Sequence, residues 1–252
     1  MAVHFQADGP VAVITIDRPA ARNAIDRATA GELIAAFERF EAEASFLVAV
    51  LTGANGVFCS GADLNGVASG NSNLIDPAGD GPLGPTRRSL SKPTIAAVEG
   101  HAVAGGLELA LFCDLRVAAR GAIFGVFCRR WGVPLIDGGT VRLPRLIGQA
   151  RALDLILTGR AVKADEALQM GLANRLVEDG QALPAALQLA HQLARLPQDC
   201  LRSDRSSAIE QWDLPLEEAL RNEARHGMTA LGSPQLIENV QRFVKGAGRH
   251  GT

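Results

Sequence analysis

The stretch GHAVAGGLELALFCD, residues 100–114, decides the fold. It follows a run of small and β-branched residues at 94–98, TIAAV, which predicts a buried strand that ends before Gly100. Gly105 and Gly106 then open an apolar segment at 107–113 that we predict to be a helix. A buried strand, a glycine loop and a helix in this order indicate an α/β protein.

A second glycine loop also lies directly after a predicted buried strand. The segment GVFCSGADL, residues 56–64, follows a predicted buried strand at 46–52. Small residues in both loops let backbone N–H groups approach a ligand closely, and the first N–H groups of a helix have no partner within it. Two such N–H groups that face one another form an oxyanion hole. The simpler interpretation makes both loops tight turns between a strand and a helix.

The rest of the chain continues the alternation of strands and helices, except near its end, where the pattern predicts helices alone. Residues 66–85 are rich in Gly, Asn, Ser, Asp and Pro without periodicity, which predicts a mobile loop. From 197 onward the pattern is wholly helical, so we predict a main domain over 1–196 and a helical extension over 197–252. The further predicted elements are strands at 11–16, 115–118 and 173–177, a helix from Asp26 or Thr29 to 43, and helices at 150–158 and 165–170.

Composition and charge exclude several classes of protein. The 252 residues are 47% hydrophobic and 21% charged, as expected of a globular chain. With 25 Lys and Arg against 27 Asp and Glu, the net charge is −2, and only 4% of the residues are aromatic, so we expect no nucleic-acid partner. No apolar stretch approaches the roughly 20 residues of a membrane span, and no signal peptide is evident. We therefore expect a cytoplasmic protein without a membrane partner.

Several familiar site motifs are missing. The four cysteines stand far apart and the five histidines are isolated, so we expect neither disulfides nor a metal site. The 100–106 loop lacks the Lys and the Ser or Thr of a nucleoside-triphosphate loop, and the first strand ends in Asp17-Arg18-Pro19 instead of the glycines of a dinucleotide fold. Ser60 lacks the preceding glycine of a nucleophile elbow, which argues against a serine hydrolase.

Five stretches, in their order and spacing, resemble the enoyl-CoA hydratase/isomerase, or crotonase, superfamily. They are IDRPAARNA (16–24), VLTG (50–53), FCSGADL (58–64), AVEGHAVAGGLELA (97–110) and the segment from GGT (138–140) to LTG (157–159). The resemblance covers most of the chain. It implies an α/β, crotonase-like spiral of ββα repeats with a C-terminal helical region used in oligomerisation.

The same resemblance implies the ligand and the residues that contact it. The ligand is an acyl-CoA thioester, with no cofactor beyond the coenzyme A of the substrate, and the assembly is a homotrimer or a dimer of trimers. The backbone N–H groups of Ala62 and Gly105 match the two oxyanion donors, which polarise the thioester carbonyl and hold an enolate. For Arg22, a solvated surface charge is an equal alternative. The positions expected to bind coenzyme A are Arg22, Ala62, Asp63, Leu64, Asn65 and Gly105.

Glu108 is the first candidate for proton transfer. A glutamate on a helix is usually a solvated surface residue, but Glu108 lies within an apolar run and has no polar face to share. Desolvation raises the pKa of such a carboxyl toward the range useful in acid–base catalysis. The resemblance also implies a catalytic acid/base glutamate at this position.

The chain departs from the hydratases of this family at Cys128. Those enzymes use two glutamates, and Cys128 stands where the resemblance places the second one. A thiol with a pKa of about 8.5 is mostly neutral at pH 7, so it does not simply replace a carboxylate. The simpler interpretation of Cys128 is a small buried side chain.

Asp137 is a candidate for the second carboxylate. It lies in the glycine-rich turn PLIDGGT, residues 134–140, ahead of a predicted helix. Family members of other activities, including naphthoate synthases and aromatic acyl-CoA dehalogenases, are similar in placing an aspartate there. The alternative is an ordinary helix N-cap, in which the carboxylate accepts from free N–H groups of the helix.

These residues predict an enzyme that forms a thioester enolate. Glu108 would be the main acid/base, Asp137 the second group, and Ala62 and Gly105 the oxyanion donors. The predicted reaction is hydration or double-bond isomerisation of an enoyl-CoA, and isomerisation tolerates the loss at Cys128 more easily. One alternative is hydrolysis, decarboxylation, dehalogenation or ring closure led by Asp137, and another is a non-catalytic acyl-CoA-binding protein.

Overall fold

The computed structural model describes residues 1–246 and divides the chain into two units. The first unit, Met1–His191, holds two β-sheets and most of the helices. The second, Gln192–Thr252, is described as far as residue 246 and contains three long helices. The sequence pattern placed the boundary between 196 and 197, and the predicted extension over 247–252 lies outside the described residues.

Strands and helices alternate along the first unit, and the described part of the second unit is helical. The strands are β1 Val3–Asp8, β2 Val11–Ile16, β3 Val48–Gly53, β4 Thr94–Val98, β5 His101–Val103, β6 Leu115–Ala119, β7 Ile123–Gly125, β8 Val162–Lys163 and β9 Arg175–Val177. The helices are α1 Arg27–Ala42, α2 Leu64–Ala68, α3 Gly105–Phe112, α4 Gly139–Ile147, α5 Gln149–Thr158, α6 Ala164–Gln169, α7 Ala182–Ala194, α8 Gln198–Glu210, α9 Leu216–Leu231 and α10 Pro234–Val244. Short 3-10 segments lie at Pro19–Ala21, Pro85–Arg87, Phe127–Trp131 and Gln211–Asp213.

The chain passes repeatedly between the two sheets. The larger sheet has the order β1-β2-β3-β4-β6-β9 and is parallel except for the β1–β2 pair. The smaller sheet has the order β5-β7-β8. The path leaves β4 for β5 in the smaller sheet, forms α3, returns to β6 and leaves again for β7. Each such passage is a ββα turn, and the α/β prediction is confirmed.

Isolated bridges extend the smaller sheet and set two loops in register. Cys59, which follows β3, pairs in parallel with Ala102 of β5. Three residues further along each segment lie Ala62 and Gly105. The two glycine loops are therefore equivalent parts of successive turns, and this repeat brings Ala62 close to the start of α3.

Helix α1 covers the larger sheet, as its sequence pattern predicts. Asp26 caps it by accepting the N–H of Thr29 at 2.8 Å. Leu33, Phe37 and Phe40 on one stripe are buried in the core. Burial of three such side chains contributes roughly 1.5–3 kcal/mol each.

Several short elements differ from the sequence predictions. The patterns did not predict β1, β5, β7, β8 or α7, and α2 occupies the start of the predicted 66–85 loop. Residues 81–85 at the end of that loop, and residue 86 after it, are all buried. Within residues 1–246, no helix is long and apolar enough to cross a membrane.

Candidate active site

A cavity of about 410 Å³ lies where the two glycine loops meet the segment before α4. Its lining includes most of the residues singled out from the sequence. The cavity-lining members of that set are Arg22, Ala62, Leu64, Gly105, Glu108 and Asp137, with Cys128 beside them. Asp63 and Asn65 are not part of the lining. Among the described residues, no cluster of three His, Cys, Asp or Glu side chains could hold a metal ion.

Two unused backbone donors lie at equivalent places in the loops. Within the described chain, the N–H groups of Ala62 and Gly105 donate to no protein acceptor, although those of Gly61, Asp63 and Ala104 do. Gly105 is the first residue of α3, so its N–H has no partner in the helix. Ala104 before it has a φ of 53°, an unusual conformation for a residue with a Cβ, which typically costs about 1–3 kcal/mol. The fold holds this peptide in a strained orientation that leaves the next N–H free.

Glycines allow the loops to approach one another. A Cβ on Gly61, whose φ is 101°, would lie 2.9 Å from the nitrogen of Gly105. A Cβ on Gly106 would lie 2.0 Å from the carbonyl oxygen of Cys59. The two free N–H groups therefore belong to segments in close contact, as an oxyanion hole requires.

Glu108 lies on α3 with every residue of the helix buried around it. Its side chain is 2% exposed, and Oε1 accepts hydrogen bonds from the backbone N–H groups of Asp137 at 2.9 Å and Gly139 at 2.8 Å. Burial raises the pKa of Glu108 to about 7, against the opposing effect of the Gly139 hydrogen bond. Oε2 has no hydrogen bond to the described residues and is not enclosed by protein atoms. One oxygen is fixed and the other faces the cavity.

The carboxyl of Asp137 has a similar arrangement with different donors. Oδ1 accepts from the N–H of Leu83 at 3.0 Å and the hydroxyl of Thr86 at 2.5 Å, and burial raises the pKa of the group. Oδ2 is bonded to none of the described residues and is not enclosed. The N-cap of α4 is Gly138, without a side-chain hydrogen bond, so the N-cap alternative for Asp137 is wrong. The first N–H groups of that turn go to Glu108 instead.

Cys128 lies in the 3-10 segment Phe127–Trp131 and is 6% exposed. Burial and the nearby charge of Glu108 raise the pKa of its thiol. The thiol is therefore neutral at physiological pH. It forms part of the cavity wall beside the two carboxyl groups.

Only some of the residues expected to bind coenzyme A line the cavity. Arg22 is exposed, and Leu64 is 44% exposed; both line the cavity. Asp63 is paired with Arg18 at 3.0 Å and accepts the N–H of Asn65 at 3.1 Å, so its carboxylate stabilises the turn into α2. Asn65 is exposed at the start of that helix.

The sequence did not reveal the groups that hold Asp137. Leu83 lies at the end of the aperiodic loop and Thr86 just after it, and Arg142 of α4 donates to the carbonyl oxygens of Thr86 and Asp137. The Gly, Pro and Asn content of the loop indicates only irregular backbone. The buried apolar residues near its end, such as Leu83, were the available sign that this part packs against the core.

Residues 6–245 match the family model described as enoyl-CoA hydratase/isomerase. The chain belongs to the enoyl-CoA hydratase/isomerase family. This family member is 36% identical over 244 residues to the enoyl-CoA hydratase EchA19 of Mycobacterium tuberculosis, covering 94% of this chain and 91% of that one. It is 34% identical over 249 residues to a carnitinyl-CoA dehydratase of Salmonella enteritidis, with 96% and 95% covered.

Solved structures agree with the family assignment. The enoyl-CoA hydratase EchA1 of Mycobacterium marinum matches with a TM-score of 0.91 and 36% identity, covering 97% of this chain and 96% of that one. An enoyl-CoA hydratase of Mycobacterium tuberculosis H37Rv matches with the same TM-score and 35% identity, over 97% and 96% of the two chains. The predicted crotonase-like fold is confirmed, and this enoyl-CoA hydratase/isomerase family member is a crotonase-type acyl-CoA enzyme.

Proposed function

We propose that this enzyme isomerises the double bond of an enoyl-CoA through a thioester enolate, with Glu108 as the main acid and base. The observation that carries this proposal is the open Oε2 of Glu108, on a carboxyl with a pKa of about 7, in the same cavity as the two free N–H groups. A group that titrates near neutral pH exchanges protons efficiently in both directions.

The proposed reaction begins when the thioester carbonyl enters the hole. The N–H groups of Ala62 and Gly105 donate to its oxygen and stabilise the negative charge that develops there. Each such donor typically contributes about 3–4 kcal/mol. Glu108 removes a proton from the α-carbon, and the enolate then accepts a proton at the γ-carbon.

Asp137 is proposed as the second group of the proton transfer. Its open Oδ2 lies on the wall of the same cavity, and burial raises its pKa, which favours the protonated form. The Glu108 carboxylate and a protonated Asp137 would supply a base and an acid to the two carbons of the isomerisation. The coenzyme A of the substrate is the only cofactor proposed, and Arg22 at the cavity mouth offers a positive charge to its phosphates.

Isomerisation is favoured over hydration by the chemistry at Cys128. Hydration needs a group that takes a proton from water as the oxygen attacks the β-carbon. A neutral thiol with a raised pKa is a poor base for that step. Isomerisation requires no activated water.

Hydration is the second candidate, and two observations support it. The relatives are named enoyl-CoA hydratase and carnitinyl-CoA dehydratase. Asp137 also offers an open carboxylate oxygen that could orient a water molecule. The same names give no support to a non-catalytic binding protein or to hydrolysis, decarboxylation, dehalogenation or ring closure led by Asp137.

The deciding experiment supplies crotonyl-CoA and a 3-enoyl-CoA in deuterated water. Absorbance reports loss or formation of the conjugated double bond, and mass spectrometry locates deuterium at the α- and γ-carbons. Isomerisation with exchange but little hydration supports the proposal. Efficient hydration of crotonyl-CoA without isomerisation selects the second candidate, and binding without turnover of either substrate contradicts both.

We also propose the homotrimer, or dimer of trimers, implied by the family resemblance. Helices α9 and α10 carry large apolar side chains that are exposed in the single chain, including Leu216 at 77%, Met228 at 72% and Ile237 at 63%. Exposed apolar patches of this kind are typical of subunit interfaces. Light scattering after size-exclusion chromatography measures the assembly, and a monomer would contradict the proposal.

A further inference from the structure

The carboxyl group of Asp137 is held from a loop far away in the sequence. The Thr86 hydroxyl donates to Oδ1 at 2.5 Å, and the Leu83 N–H donates to the same oxygen at 3.0 Å. Oδ2 receives no hydrogen bond from the described residues and is open to the cavity. Two donors on one oxygen fix the plane of the carboxyl and direct the other oxygen toward a ligand.

Thr86 is itself rigidly placed. It is fully buried, and Arg142 donates to its carbonyl oxygen at 2.5 Å and to the carbonyl oxygen of Asp137 at 3.0 Å. One guanidinium group thus connects the backbones of the two residues. A Cβ on Gly81 would lie 1.9 Å from the Thr86 hydroxyl oxygen and 2.5 Å from Oδ1 of Asp137. The side chains of Thr86 and Asp137 thus fill the space beside Gly81, and neither can move closer to that residue.

We propose that Thr86 is a positioning residue for proton transfer, which holds Oδ1 of Asp137 so that Oδ2 faces the substrate. This inference rests on the proposed function, in which Asp137 is the second proton-transfer group. Without the hydroxyl, the Leu83 N–H alone leaves the carboxyl able to turn about its terminal bond. A displaced acid or base lowers the rate of proton transfer more than it lowers substrate binding.

The same hydrogen bond affects the ionisation of Asp137. A hydroxyl that donates to a carboxylate stabilises the charged form, so its loss raises the pKa of the carboxyl. The other ionisable groups that face Asp137 are Glu108 on α3, Cys59 in the first glycine loop, Arg87 in the 3-10 segment before β4 and Arg142 on α4. A substitution at Thr86 leaves all four in place, so a shift in the pH profile reports the lost hydroxyl.

The test compares Thr86→Val, which removes the hydroxyl at nearly constant volume, with Thr86→Ser, which keeps it. Isomerisation of a 3-enoyl-CoA is measured across the pH range. For Thr86→Val we expect kcat to fall about 10- to 100-fold with KM within about twofold. The limb of the pH profile that reports the ionisation of Asp137 should move to higher pH. Thr86→Ser should keep most of the kcat and the original profile.

Further variants separate this inference from the proposed function. If Asp137→Asn is inactive while Thr86→Val has the wild-type kcat and pH profile, Thr86 has no positioning role and the proposed function stands. If Asp137→Asn is fully active, the proposed role of Asp137 fails, and that of Thr86 with it. In the double variant, Thr86→Val should add little to Asp137→Asn, and additive losses would contradict the proposal. Thr86→Ala gives the same test if Thr86→Val does not fold.

Discussion

Glu108 accepts the backbone N–H of Asp137 at 2.9 Å, so the two acidic residues of the cavity are joined through the side chain of one and the main chain of the other. The Asp137 carboxyl is bound elsewhere, by Thr86 and Leu83. Each carboxyl therefore keeps one free oxygen. Burial raises both pKa values, and the charge of Asp137 raises that of Glu108 further.

Glu108→Gln should abolish proton transfer while preserving the fold. The amide oxygen of Gln still accepts the two backbone N–H groups that Glu108 binds, but the side chain no longer exchanges protons. We expect kcat for isomerisation to fall about 100- to 10,000-fold, the usual contribution of a positioned acid or base. Steady-state kinetics measures the loss, and circular dichroism checks the fold. Turnover at the wild-type rate would rule out Glu108 as the main base.

The raised pKa of Glu108 should make the protein less stable as the pH rises. The carboxyl ionises at about 7 in the folded chain, against an ordinary value of 4.5, so the folded state binds more protons between these values. The free energy of unfolding contributed by this group is present below pH 4.5 and is lost as the pH rises through about 7, by an amount of about 3 kcal/mol.

Glu108→Gln removes this dependence and provides the measurement. Relative to the wild type, the variant should gain stability between pH 5 and pH 8 in urea titrations. The matched control is Glu223→Gln, at an exposed position on α9, which should follow the wild type across the same range. An equal pH dependence in the wild type and in Glu108→Gln would show that burial of Glu108 has no such effect.

Cys128→Glu should increase hydration relative to isomerisation. The substitution places a carboxylate on the cavity wall where the family resemblance implies a second glutamate. We expect the ratio of hydration to isomerisation to rise about tenfold or more, because general-base assistance to water is worth at least that much. Cys128→Gln has the same size without the base and should leave the ratio unchanged. A Cys128→Glu protein that folds but shows the original ratio would contradict the explanation based on Cys128.

Gly61→Ala should close the oxyanion hole. The new Cβ would lie 2.9 Å from the nitrogen of Gly105, so the loop must shift and displace a donor. Loss of one donor typically lowers kcat about 100- to 1,000-fold. Gly56→Ala is the matched control, because Gly56 lies in the same loop with a positive φ but has nothing within 4 Å of its Cβ position. Equal losses of kcat in the two variants would mean that backbone strain, rather than the hole, causes the effect.

The strongest sequence predictions came from elements whose burial is visible in the residues themselves. Strands β2 and β4 have the predicted bounds, because runs of β-branched and small residues are typical of strands buried on both faces. The burial of Glu108 followed from the absence of a polar face on α3, and the structure confirms it. The catalytic roles of the named residues remain predictions.

Contacts between distant segments could not be read from the sequence. Strands β5, β7 and β8 have only two or three residues and show no period, so they are defined by their partners in the smaller sheet. Thr86 lies 51 residues before Asp137, just after an aperiodic loop, and nothing local to either residue indicates their hydrogen bond. The N-cap interpretation of Asp137 is wrong for the same reason. The N–H groups at that turn donate to Glu108, which lies on α3, a distant part of the sequence.

The donors that hold Glu108 are main-chain groups, so the side chain at position 137 can change without affecting how Glu108 is held. The N–H groups at positions 137 and 139 do not depend on the side chains there, so any residue except proline at position 137 can keep them. The side chain at position 137 is consequently free to vary while Glu108 keeps its orientation. A single substitution at position 137 could change the product that the enolate gives, while Glu108, which forms the enolate, stays in place.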